Sequence, residues 1–241
     1  MLKEKLSKYN LILASKSPRR QFLLKELGLD FEIRTKEVDE SFPENLKGEQ
    51  IALYLCKKKA EAFKDELKPG DLLITADTIV CIGDAVLNKP ADPAEAVKML
   101  ERLSGKMHTV YTGVCICSPR ERGQGNVSFR TFVSSTQVHF KKLSSQEIDH
   151  YIHHYKPFDK AGSYGAQECL PAGMNPCSKE EFEFLVRINN PDLFVKSNAT
   201  KSGAGETGII DKISGSYFNV MGLPVKELYE ALEKLQSAAA R

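Results

Sequence analysis

The sequence predicts an α/β fold on a mixed rather than purely parallel sheet, with helices flanking it. Three observations carry this. Apolar segments of strand length alternate with segments of helical spacing, capping and stop residues bracket the helical ones, and direct turns join some neighbouring strands. At 241 residues the chain suits one sizeable domain, or two lobes around a cleft, and its 41% apolar content permits an ordinary packed core.

Leu11-Ile12-Leu13-Ala14 is a first short strand. Ser17 as N-cap, Pro18 in the first turn and Gly28 as stop then mark a helix over Gln21 to Leu27. Phe31 to Ile33 alternates as a strand, and Gln50 to Phe63 has helical spacing at Ile51, Leu55, Lys59 and Phe63. Leu72 to Ile82 is an apolar run typical of a buried strand, interrupted by Asp77, and Gly83-Asp84 turns it back into Ala85 to Leu87. Asp92-Pro93 opens a helix to Leu103. His108 to Cys117 and Asn126 to Phe140 read as a long hairpin across the polar loop Ser118 to Gly125. Ser144 with Glu147 forms a capping signal for a helix through Tyr155, and Ser216 to Val220 and Lys226 to Leu235 read as a last strand and helix. From Glu168 to Gly208, prolines, glycines and asparagines break every periodic run except Lys179 to Arg187, as in a lid or a mobile insertion.

Lys plus Arg number 34 against 32 Asp plus Glu, a net charge of +2, so no global field would hold a nucleic-acid polymer. Phosphate must be gripped locally. There is no secretory apolar run at the start and no stretch long enough to span a membrane, so a cytoplasmic protein is expected. The six cysteines lack C-x-x-C spacing and read as free thiols.

Strand, Ser15-Lys16-Ser17-Pro18-Arg19-Arg20, then helix places hydroxyls, backbone N–H groups and two guanidinium groups at a helix N-terminus. Two arginines there oppose the helix dipole unless an anion binds. Asp77 within an apolar strand must be paired, metal-bound or held at a strand end, and Glu40 can present a second carboxylate. Two carboxylates with triphosphate oxygens suit Mg²⁺. The same residues also read as a backbone-bonded aspartate and an exposed acidic loop. Lys59, Lys89 and Lys160 are candidate partners for phosphate charge, while His150, His153 and His154 lack a matching carboxylate set and read as structural.

Taken as an ordered set, Leu13 to Arg20, Lys59-Ala60, Ala76 to Val80, Lys89-Pro90, Met99 to Gly105, Asp159 to Gln167 and Gly215 to Pro224 resemble the Maf family, often labelled septum-formation inhibitor proteins. The likeness runs from Leu11 to about Leu235 and implies a single Maf-like domain over residues 1–241 with an insertion at about 168–208. It implies a curved mixed sheet with flanking helices and two lobes around a cleft, as in inosine-triphosphatase-like pyrophosphatases. The implied activity is hydrolysis of nucleoside triphosphates to the monophosphate and pyrophosphate with Mg²⁺ or Mn²⁺. By motif position, Asp77 would accept the proton of the attacking water and share the metal with Glu40. Ser15, Arg20, Lys59, Lys89 and Lys160 would hold phosphates.

The Ala-Asp-Thr and Tyr-Gly-x-Gln patterns resemble the dTTP/UTP pyrophosphatase branch, in which Arg19, Thr78 and Gln167 match the positions tied to substrate choice. A homodimer is implied by the resemblance alone. One departure stands beside Gln167: Glu168 replaces an expected glycine, and roughly forty residues precede Ile209. A nucleotide-binding regulator of cell division that does not hydrolyse, and a hydrolase releasing orthophosphate, remain the competing readings.

Overall fold

The computed structural model describes residues 2–119, 127–171, 173–199 and 208–235. Most of the predicted loop 118–125, and Gly203-Ala204-Gly205 of the insertion, lie outside them. Among the described residues seven strands form one mixed sheet, in the order β2 (Glu32–Ile33), β1 (Asn10–Leu13), β3 (Asp71–Ile82), β5 (Met107–Pro119), β6 (Val127–Phe140) and β7 (Ile210–Ser214), with β4 (Ala85–Leu87) paired to β3. The chain divides into two compact units, one of residues 1–77, 112–134 and 222–241, the other of 78–111 and 135–221.

In the first unit, β1 (Asn10–Leu13) lies parallel to β2 (Glu32–Ile33) and to the start of β3 (Asp71–Ile82), pairing Leu11 with Leu72 and Leu13 with Ile74. Leu11, Ile12 and Leu13 are all buried, which is why this segment is a continuous apolar run rather than an alternating one. The helix α2 (Pro18–Glu26) follows directly, capped by the Ser17 hydroxyl accepting from the Arg20 amide at 3.4 Å. Helix α3 (Glu49–Glu61) buries Ile51, Ala52, Leu55, Cys56 and Ala60. It packs so closely on the strand β5 (Met107–Pro119) that a Cβ at Gly113 would lie 2.3 Å from the Ala52 carbonyl oxygen. Ile12, Cys56, Ala60, Phe63, Leu73, Cys115 and Cys117 form a common core beneath it. A short helix α1 (Leu2–Leu6), which the charged N-terminal sequence does not announce, packs through Leu2 and Leu6 with α10 (Val225–Glu233).

In the second unit, Gly83 at φ 57° turns the end of β3 into β4 (Ala85–Leu87), antiparallel with Val80 opposite Leu87. Asp92 caps α4 (Pro93–Leu103), accepting from the Glu95 amide at 2.8 Å, and Ser144 with Glu147 forms the predicted capping box of α5 (Ser145–Tyr155). The described parts of the 168–208 segment contain the end of α6 (Ala166–Cys169), then α7 (Lys179–Arg187) and α8 (Leu193–Ala199), with Phe184, Leu185 and Leu193 buried.

The strand expected over Ser216 to Val220 is instead a helix, α9 (Tyr217–Met221), and the strand beside β6 (Val127–Phe140) is β7 (Ile210–Ser214). The reason is a buried carboxylate. Glu181 of α7 accepts the Tyr217 amide at 3.0 Å, the Phe218 amide at 3.5 Å and the Ser216 hydroxyl at 2.5 Å, satisfying N–H groups that a helix start leaves unpaired. Gly215, at φ 125°, lets the chain turn from strand to helix where a Cβ would meet Thr136 Oγ1 at 2.9 Å.

Candidate active site

The end of β1 and the start of α2 hold the first group of candidate residues. Ser15 is buried, its hydroxyl accepting from the Ser17 amide at 3.2 Å and its carbonyl from the Gln21 side chain at 3.1 Å. No acidic residue stands in the first turn of α2, so the dipole and the guanidinium groups of Arg19 and Arg20 add to a positive helix start. Arg20 is held by its Nε, which donates to the Gly222 carbonyl at 2.8 Å. Burial lowers its pKa from the ordinary value; Asp77 opposes that shift, Arg19 adds to it, and Glu40 again opposes it. The guanidinium stays charged and sits in the field of both carboxylates.

Those carboxylates meet on one ammonium. Lys59, in the last turn of α3, donates to Glu40 Oε1 at 2.7 Å and to Asp77 Oδ1. The side chain of Asp77 is 10% exposed and that of Lys59 18%, whereas Glu40 is 49% exposed. Register explains the meeting. Thr75 and Asp77 lie two residues apart on one face of β3, and the Thr75 hydroxyl donates to the Cys56 carbonyl at 2.6 Å, so the next residue on that face reaches Lys59 one turn along α3.

Two neighbours that sequence reasoning passed over fix the loop bearing Glu40. Lys58 donates to Asp39 Oδ2 at 3.1 Å and to the Ser41 carbonyl at 2.9 Å, and Asp39 Oδ1 accepts the Ser41 amide at 3.0 Å. Hydrogen bonds from the Ser41 hydroxyl and amide, then Lys58, hold Asp39 down to about 2. The Asp-x-Ser spacing is legible as a local Asx turn, but its anchoring lysine is not.

In the second unit, Thr78 is half-buried on β3 and Lys89 is exposed after β4. Two motifs far apart in sequence are joined, since the Gly162 amide donates to the Asn88 carbonyl at 3.2 Å. Gly162 has φ 67° and a Cβ there would lie 3.0 Å from Val80. Lys160 is buried, with Asp159 Oδ1 at 2.7 Å and Glu168 Oε1 at 3.8 Å. Glu168, the residue in place of an expected glycine, is itself buried and accepts from the Tyr151 hydroxyl at 3.3 Å. Gly165 is needed beside it: a Cβ there would stand 1.9 Å from Glu168 Oε2. Gln167 is buried and its Nε2 donates to the Ser197 carbonyl of α8.

His150 and His154 stack on the exposed face of α5, and among the described residues no group of three or more His, Cys, Asp or Glu is placed to hold a metal. All six cysteines are free thiols. No helix among the described residues is long and apolar enough to cross a membrane.

Residues 10–181 match the family described as Maf-like protein. Along nearly its whole length the chain is similar to proteins named dTTP/UTP pyrophosphatase. That of Phocaeicola vulgatus is 42% identical over 233 residues, covering 96% of this chain and 99% of the relative. That of Flavobacterium johnsoniae is 40% identical over 235 residues, covering 98% and 100%. That of Cytophaga hutchinsonii is 42% identical over 226 residues, covering 94% and 84%.

Proposed function

Because the chain belongs to the Maf-like protein family, we propose that Asp77 is the catalytic base of a nucleoside-triphosphate pyrophosphatase acting on dTTP and UTP. The enzyme hydrolyses nucleoside triphosphates to the monophosphate and pyrophosphate. The observation that carries the site assignment is the convergence of Glu40 and Asp77 on Lys59, within the field of Arg20.

Asp77 takes a proton from water as its oxygen attacks the α-phosphorus. The new P–O bond forms as the bond from the α-phosphorus to the bridging oxygen breaks, and pyrophosphate leaves with that electron pair. Lys59 orients the Asp77 carboxylate and supplies positive charge, and Arg20 and Ser15 bind phosphate at the start of α2. Lys89 and Lys160 are the further phosphate contacts in this reading, and Arg19, Thr78 and Gln167 choose the base.

Two carboxylates brought together by one cation present hard oxygen donors of the kind that suits Mg²⁺ or Mn²⁺. Glu40 and Asp77 would hold the ion, whose chemistry is to neutralise phosphate charge. We further take residues 1–241 as one Maf-like domain with an insertion at about 168–208, acting as a cytoplasmic homodimer.

The test is a product-resolved panel of triphosphates with and without Mg²⁺. Pyrophosphate from dTTP and UTP, lost in Asp77→Asn, is the expected result. Orthophosphate as first product, or binding without turnover, sinks the assignment.

A further inference from the structure

The amide of Gln167 is not free to turn. A carbonyl oxygen can only accept, so the group facing Ser197 must be the NH₂ of the carboxamide, and Oε1 lies on its other side. The Ser197 end of this contact is built in. Ser197 is fully buried, its hydroxyl donates to the Phe194 carbonyl at 2.7 Å, and it is hydrogen-bonded to Tyr217, also fully buried on α9. Leu193, at the other end of α8, is buried as well. The α9 helix that carries Tyr217 is in turn started by Glu181 of α7. Helices α7 and α8 therefore hold the carboxamide through one chain of contacts.

We infer that α8, through the Ser197 carbonyl, is a positioning element that fixes Gln167 with Oε1 as the acceptor offered to ring position N3 of a pyrimidine. This rests on the preceding reading that Gln167 faces the base. Uracil and thymine carry a hydrogen at N3 and can donate to a fixed acceptor, whereas cytosine presents a lone pair there and leaves two acceptors opposed. An amide free to flip would serve either base. The insertion thus converts an ambidextrous side chain into one that selects for an N–H.

The experiment uses the full chain with Mg²⁺ and measures kcat/KM for UTP and CTP by pyrophosphate release. In the wild type UTP is preferred by about tenfold or more, the scale expected when a polar group is left unpaired. Tyr217→Phe removes the hydroxyl that holds Ser197, and Leu193→Ala loosens the seating of α8. Both lower the UTP-to-CTP ratio several-fold, with CTP turnover maintained or raised. Gln167→Met, which has no amide, brings the ratio near unity.

If Tyr217→Phe and Leu193→Ala reduce both substrates in proportion, α8 is merely structural and the inference is wrong, even where Gln167→Met still collapses the ratio. An unchanged ratio in Gln167→Met would instead show that Gln167 does not face the base. Preference of the wild type for CTP overturns the N3 assignment, and a wild type inactive on every triphosphate overturns the underlying activity. Tyr217→Phe keeps the ring in the core, so the test survives a Leu193→Ala protein that does not fold.

Discussion

Replacing Lys59 with methionine keeps the length of the side chain and removes the ammonium that Glu40 and Asp77 share. The two carboxylates respond differently. Glu40, about half exposed, is resolvated by water, whereas Asp77, 10% exposed, loses the partner that compensates its burial. Breaking a buried pair costs about 3–5 kcal/mol, and the partial exposure of this one places Lys59→Met near the lower end, about 3 kcal/mol. The same loss removes a positive charge beside the reacting phosphate, for which about a 10²–10³-fold fall in kcat is the usual scale.

A conservative substitution separates these effects. Lys59→Arg keeps a cation between the two carboxylates and should restore most of both the stability and the rate. The assay is steady-state pyrophosphate release from UTP, with urea denaturation of the same samples. A Lys59→Met enzyme with wild-type kcat and unchanged urea stability refutes the assignment of Lys59 and Asp77 as a working pair.

Gly113→Ala puts a methyl 2.3 Å from the Ala52 carbonyl, a backbone atom that cannot swing aside. A loss of about 3 kcal/mol or more in urea denaturation is expected, and a neutral result would mean that α3 does not sit on β5 as described. Glu181→Ala leaves the Tyr217 and Phe218 amides unpaired at the start of α9 and should cost about 2–4 kcal/mol, whereas Glu181→Gln, which keeps an acceptor, should cost less. His108 bears on acid stability. Burial first, and His139 second, lower its pKa from 6.5 to about 3, while Nε2 pairs with the Tyr164 hydroxyl at 2.7 Å. The unfolded chain therefore takes up this proton first, so stability present above pH 6.5 is lost as pH falls through the window down to about 3. By pH 5 the loss is about 2 kcal/mol, and His108→Phe should flatten the dependence of melting temperature on pH over that interval.

Local signals located most of the framework. Ser17, Asp92 and Ser144 each cap the helix that follows them, because a cap needs only its own turn. Burial on both faces makes a strand legible as an apolar run, as in β1 and, on either side of Asp77, in β3, and Gly83 marks its own turn by conformation. The miss at 216–220 has a different origin. Ser-Tyr-Phe-Asn-Val has the composition of a strand, and its helix is started by a carboxylate from residue 181, which no reading of the local segment includes. The same holds for α1, whose alternating charges hide two buried leucines on a helix that packs with the distant α10.

For the proposed site, sequence alone offered the candidates: the arginines at a helix start, an aspartate in an apolar strand, Lys59 and the acid at Glu40. The arginines and Asp77 follow from a local conflict, a cation where the dipole is positive or a charge where the environment is apolar, which is visible in a string of residues, whereas Lys59 and Glu40 are candidates by residue type alone. Which of them touch is another matter. That Lys59 lies between Glu40 and Asp77, that Lys58 holds the Glu40 loop, and that Ser197 turns the amide of Gln167 depend on register and on packing between elements far apart in sequence. Only the tertiary structure decides these, because a hydrogen bond is a relation of distance and direction, and residues thirty positions apart acquire both only when the chain has folded.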